Sequence, residues 1–251
     1  MDIWLPVLWL IAAFLVLLLV HRWLEAHLQG LAYLSTGHPT VAMWVFFILF
    51  LPGTLVHELS HWVMARLLAV RTGRIELWPR AQKNGAVWLG SVQIARTDPV
   101  RASLVGLAPL LTGSLLSALI GAHLQLNSLG SALAAGEWAS VWQQLGRSLA
   151  LPDFWLWVYL LFAVANRMLP SPSDRQAWRP VIIFLALISL AMAVSGWTPT
   201  LTTEASTLLR DVVGFLLYAF TLIVAVDILV AIVVAVLELL VGIIRQQRIV
   251  Y

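Results

Sequence analysis

The sequence predicts an all-α polytopic membrane protein: six transmembrane helices with a small β-hairpin (about 74–95) at the cytoplasmic face, in a single membrane domain over 1–251. Three observations lead there. Of the 251 residues, 61% are hydrophobic and only 11% charged, with a mean hydropathy of +0.91; an ordinary soluble domain carries about 25% charged residues. Six apolar runs approach the ~20 residues that a helix needs to cross a bilayer. Lys and Arg segregate between the two sets of connecting segments, as cytoplasmic and outer loops do.

The runs fall at about 4–20, 41–69, 102–124, 153–169, 180–197 and 212–244. The first lacks a basic leading region and a small-x-small cleavage site, so it reads as a retained span and not a signal peptide. "GLAYLSTGHPT", from Gly30 to Thr40, reads as the loop after it. The fourth and fifth runs are short. The sixth is longer than a bilayer core and must tilt or project. If the segments after spans two, four and six share a side with the N-terminus, that side holds twelve of the fifteen Lys and Arg, and the other only Arg22, Arg147 and Arg210. This bias predicts a multi-pass cell-membrane protein with both termini cytoplasmic. Its partners would be the lipid bilayer and other membrane proteins, with no nucleic acid. The absence of cysteine excludes disulfides and thiolate metal sites.

Two segments outside the spans have patterns of their own. Residues 74–95, "RIELWPRAQKNGAVWLGSVQIA", read as strand, turn and strand, with Asn84-Gly85 as the turn. In Glu137 to Leu149, one helical face carries Trp138, Val141, Trp142, Leu145 and Leu149. That suits a short helix on the outer membrane surface, or an ordinary packed loop helix.

The chemistry sits in span two, where His57-Glu58-Leu59-Ser60-His61 is H-E-x-x-H. Residues i and i+4 share a helix face, so both imidazoles reach one ion, and Glu58 is placed as general base towards water at the metal. Zinc, one per chain, is the expected cofactor, because it accepts neutral imidazole and lowers the pKa of water to about 7. A buried hydrogen-bonded network or a proton path is the alternative use of such residues. Pro52-Gly53, just ahead, would loosen the helix where water must enter.

A catalytic zinc takes three protein ligands. His21, His27, His38 and His123 all belong to the outer side on this topology, away from the motif. Span four instead ends in "FAVANRMLPSPSDRQAW", where Pro170 and Pro172 interrupt the helix. Asp174 after this break is the candidate third ligand, and Asn166 a candidate hydrogen-bond donor to the substrate or an intermediate. The spacing equally lets Ser173 or Asp174 cap span five. Asp227 and Glu238 in the last span are acids at membrane depth. They fit a transport path, or pairing with an Arg or His inside the bundle.

These motifs resemble intramembrane zinc metalloproteases of the site-2 protease type (peptidase family M50). That family carries H-E-x-x-H on one span and N-x-x-P-x-x-x-x-D-G two spans later. His57, Glu58 and His61 match the first motif; Asn166, Pro170 and Asp174 loosely match the second. "GLAPLLTG", Gly106 to Gly113, is similar to the small-residue-proline element of the intervening span, and residues 74–95 to the family's small sheet. The resemblance covers about 41–180, a three-helix core, with 1–40 and 181–251 as peripheral helices. It implies a zinc-dependent endopeptidase cutting a peptide bond within or near a transmembrane segment of a membrane-protein substrate. Departures exist: Arg175 follows the aspartate where the family has glycine, Ser173 stands for leucine, and the Asn-to-Pro interval is one residue longer. They motivate the alternative of a catalytically inactive scaffold or assembly subunit.

Overall fold

The structure is a computed structural model that describes residues 4–81, 87–88, 90–129, 132, 135–195 and 202–246. In chain order these form α1 (Trp4–Thr36), α2 (Pro39–Leu67), β1 (Thr72–Glu76), β2 (Arg80–Ala81), β3 (Val87–Trp88), β4 (Ser91–Ile94), α3 (Pro99–His123), α4 (Trp138–Leu149), α5 (Phe154–Ala165), α6 (Pro172–Ser195) and α7 (Thr203–Arg245). Five helices are long and apolar enough to cross a membrane, and a sixth crossing arises if the bent pair α4 and α5, which meet at 98°, counts as one.

α1 continues to Thr36, through most of the segment expected as a loop. The polar residues that seemed to end the span face partners instead: His27 Nδ1 lies 2.5 Å from Glu238 of α7. Leu24, Ala32 and Leu34 are buried beside them, so packing carries the helix past its polar residues.

The core of the bundle is a descending path along α3. His123, at the end of α3, meets Asp153 at 3.5 Å and stacks near Trp157. Further back along α3, Gly113 lies against Met168, Gly106 against the Asp174 carbonyl, and Ser103 donates to the Ala177 carbonyl at 2.7 Å. The chain from 153 to 177 thus runs one way, antiparallel to α3. α5 is only 12 residues, about 18 Å at the helical rise, too short for a ~30 Å hydrocarbon core. After an interruption at 166–171 the chain restarts as α6, itself one of the five helices long enough to cross. α2 lies parallel to α5: Leu49 carbonyl accepts from Tyr159 Oη at 3.1 Å, Phe50 and Phe162 rings are 5.6 Å apart, and His57 reaches Arg167. Gly53 permits this contact, since a Cβ there would collide with the Ala163 carbonyl oxygen and approach Arg167 Cγ to 2.8 Å. Pro52-Gly53 therefore serves close packing between α2 and α5.

α1 and α7 form the most extensive helix pair and run parallel. Phe14 packs on Phe220 at 5.7 Å, His27 on Glu238, and Arg245 Nη2 donates to the Ser35 carbonyl at 2.7 Å. Six alternating crossings would set the first and last spans antiparallel.

The expected hairpin is present as two short antiparallel ladders, β1 with β4 and β2 with β3; the Asn84-Gly85 turn lies outside the described residues. It turns back along α2. The Trp78 ring lies 6.1 Å from that of Trp44, about six turns before the C-terminus of α2. α3 then starts on a defined cap: Asp98 accepts from the Val100 and Arg101 amides at 3.1 and 3.0 Å, with Pro99 in the first turn. These backbone donors hold its carboxyl below the usual carboxylate range. α4 forms as expected but divides its apolar face: Val141 is buried, while Trp138, Trp142 and Leu149 are exposed.

The parallel pair makes a direct topological prediction. The chain has no native cysteine, so Thr36→Cys and Gln246→Cys are clean single-site reporters. A membrane-impermeant maleimide should label both from the same face of sealed vesicles. Labelling from opposite faces would restore six alternating crossings.

Candidate metal centre

Four chain segments converge on the H-E-x-x-H motif. α2 contributes His57, Glu58 and His61, all of them buried. α3 contributes the Val105 carbonyl, the 166–171 turn the Arg167 carbonyl, and the first turn of α6 contributes Asp174. His57 Nε2 and His61 Nε2 are 3.2 Å apart. Asp174 Oδ2 is 3.8 Å from His57 Nε2, and Oδ1 is 3.4 Å from His61 Nε2. A tetrahedral ion with bonds of about 2.0–2.1 Å holds its ligand atoms about 3.3 Å apart, so the three donors are already spaced for one metal. Among the described residues, these three alone form a group of three or more His, Cys, Asp or Glu able to share an ion.

The second nitrogen of each imidazole decides which nitrogen the metal can use. His57 Nδ1 is 2.5 Å from the Arg167 carbonyl and His61 Nδ1 2.9 Å from the Val105 carbonyl. A carbonyl only accepts, so each Nδ1 donates to it, and Nε2 is the ring nitrogen of each that faces Asp174 and could bind an ion. Such backbone partners orient metal-binding histidines in general. Both carbonyls are free for local reasons. Arg167 lies past the end of α5, where helix carbonyls lack successors. Val105 would normally accept from residue 109, which is Pro109 inside α3, and proline has no N–H. The proline of "GLAPLLTG" thus frees the acceptor that orients His61. Its two flanking glycines, Gly106 and Gly113, let the 168–174 segment lie directly on α3.

Asp174 serves both as ligand candidate and as helix cap. Ser171 N donates to its Oδ2 at 2.8 Å and Ser171 Oγ at 2.6 Å, while the Asp174 amide faces Ser171 Oγ at 3.3 Å. This is a capping box with Pro172 at the first helical position. The cap holds the carboxylate, leaving Oδ1 aimed at His61. Ser171 was legible as an S-x-x-D pattern. The two carbonyls carry no side-chain signal and could not be read from the sequence.

Glu58 faces the hairpin. At Gly90, immediately before β4, a Cβ would meet Glu58 Oε1 at 3.0 Å and Thr54 Cγ2 at 3.1 Å. The backbone entering β4 therefore lies over the glutamate, and any larger residue at Gly90 would have to push the Glu58 side chain aside. Asn166 does not join the cluster. Its Nδ2 donates to Asp227 Oδ1 at 2.7 Å and to the Phe162 carbonyl at 3.0 Å, so both amide hydrogens are used inside the chain. His21, placed on the outer side by the six-span topology, reaches Asn166 Oδ1 at 3.2 Å. Glu238 pairs with His27, as a bundle-facing acid would.

The chain matches no protein-family profile, no curated protein and no solved structure.

The orienting role of Pro109 can be measured. Pro109→Ala restores an N–H that competes for the Val105 carbonyl, so zinc affinity should fall about tenfold, the usual cost of losing an orienting partner. Titration of purified protein against a chelator of known affinity reads this directly. An unchanged affinity would mean that Pro109 only shapes the helix.

Proposed function

We propose that the chain is a zinc-dependent intramembrane endopeptidase of the site-2 protease type, hydrolysing a peptide bond within or near a transmembrane segment of another membrane protein. One observation carries the reading: His57 and His61 are held at Nδ1 by backbone carbonyls and turn their Nε2 atoms towards Asp174, on a helix where Glu58, next to His57, is a buried acid. A zinc ion held by His57, His61 and Asp174 supplies Lewis acidity and lowers the pKa of water to about 7.

The protein's own residues perform the rest. Glu58 takes one proton from the attacking water as its oxygen bonds to the scissile carbonyl carbon. It returns that proton to the amide nitrogen as the carbon–nitrogen bond breaks, so the elements of water are added across the bond. A helical peptide bond is shielded, so the substrate must unwind locally. β4 pairs only with β1 among the described residues, and its start lies over Glu58. Strand addition there would hold an extended segment beside the base. The Arg-rich end of α2 and the start of α3 mark the cytoplasmic side.

A second reading is an inactive scaffold or assembly subunit that retains the metal. The commitment of Asn166 to Asp227 favours it, since this amide is then not offered to a substrate.

Glu58→Gln separates the two. Wild-type and variant chains should each contain one zinc by elemental analysis. In host membranes, new peptide termini inside transmembrane segments should appear with the wild type and vanish with the variant, a loss of at least about 10²-fold for a general base. Identical termini profiles would leave the scaffold reading.

A further inference from the structure

Beside the metal centre lies a second buried polar cluster that the proposed reaction does not use. Asp227, midway along α7, is 0% exposed, and Asn166, at the end of α5, is 2% exposed. Around them, His21 faces Asn166 Oδ1 with Nδ1 and Glu25 with Nε2 at 3.5 Å. Glu25 in turn pairs with Arg167 Nη1 at 3.2 Å. α1 and α7 thus grip two consecutive residues, Asn166 and Arg167. The Arg167 carbonyl is the acceptor that orients His57.

Stability does not explain Asp227. A buried carboxylate is costly unless well hydrogen-bonded, and its Oδ2 has no hydrogen-bond partner. An apolar side chain there would pack without that cost. Its placement does offer an explanation. The turn at 166–171 joins two helix ends and carries Pro170, with Pro172 just after it, so little regular hydrogen bonding holds it. Arg167 N bonds only back to the Val164 carbonyl at 3.1 Å. A displacement of more than about 1 Å at Arg167 would carry its carbonyl out of hydrogen-bond reach of His57.

We propose that Asp227 is a positioning residue for the metal centre: by clamping the Asn166 amide from α7, it fixes the turn whose Arg167 carbonyl aims His57 at the ion. This rests on the metal reading of the His57, His61 and Asp174 cluster. Acting through two intermediates, Asp227 should matter about as much as an ordinary orienting partner, or about tenfold in metal affinity.

The test uses the full-length protein in detergent, loaded with Zn²⁺ for affinity and with Co²⁺ for its visible spectrum. Asp227→Leu should weaken Zn²⁺ binding about tenfold and change the Co²⁺ bands, whereas Asp227→Asn, which keeps an acceptor oxygen, should restore both. Glu238→Gln alters the His27–Glu238 contact between α1 and α7, about three turns along α7, and should lower thermal stability while leaving both metal readouts unchanged. If Asp227→Leu does not fold, Asn166→Leu/Asp227→Leu removes donor and acceptor together, leaves neither orphaned, and should show the same metal defect. Wild-type affinity and spectrum in whichever variant folds would overturn the positioning role. A wild-type protein that binds neither ion would overturn the metal reading instead.

Discussion

Polar atoms buried in an apolar bundle must each be given a partner, and here that requirement is met by backbone carbonyls released from helices. Every helical carbonyl normally accepts from the amide four residues on. The Val105 carbonyl is released by Pro109, and the Arg167 carbonyl by the end of α5. Each becomes the acceptor for one imidazole of H-E-x-x-H. Without these two interruptions, the imidazoles could meet the same ion only with mobile rings, and two N–H groups would stay unpaired in a dry interior, at about 1–3 kcal/mol each. The prolines and glycines near the site thus act through the hydrogen bonds and close contacts that they make possible.

The same economy governs the packing. Gly53 brings α2 against α5, and Gly106 and Gly113 bring the 168–174 segment against α3. These contacts set the height at which Arg167 meets His57 and Asp174 meets His61. The break at 166–171 is tolerated at membrane depth because protein surrounds it on α1, α2, α3 and α7. Its second half restarts under a capping box whose acid is also the third ligand candidate. The N-cap that the sequence assigned to Ser173 or Asp174 is instead Ser171, and the Asp174 carboxylate closes that cap through Oδ2 while Oδ1 faces His61.

The hairpin and the last helix extend the site in opposite directions. Gly90, at the entry to β4, covers Glu58 from the side, and Trp78, between β1 and β2, reaches Trp44 of α2. α7 reaches the 166–171 turn through Asp227 and Asn166. One side of the candidate centre is therefore a strand that pairs only with β1 among the described residues, and the other a buried polar clamp.

The sequence by itself determined the membrane class, the motif and its helix, and the candidate third ligand. These follow from local rules: apolar run length, i to i+4 spacing, and the inability of proline to continue a helix. Asp227 was legible as a bundle-facing acid, though not its partner. Only the tertiary structure decided that α1 runs on to Thr36, that the chain is interrupted at 166–171 between α5 and α6, that α1 and α7 are parallel, and that Asn166 turns away from the His57, His61 and Asp174 group. Hydropathy counts apolar residues but does not record helix direction. An asparagine's neighbours depend on contacts 61 positions away, as with Asp227. The carbonyls that orient His57 and His61 belong to the backbone, which is alike at every residue, so their role appears only once the chain is folded.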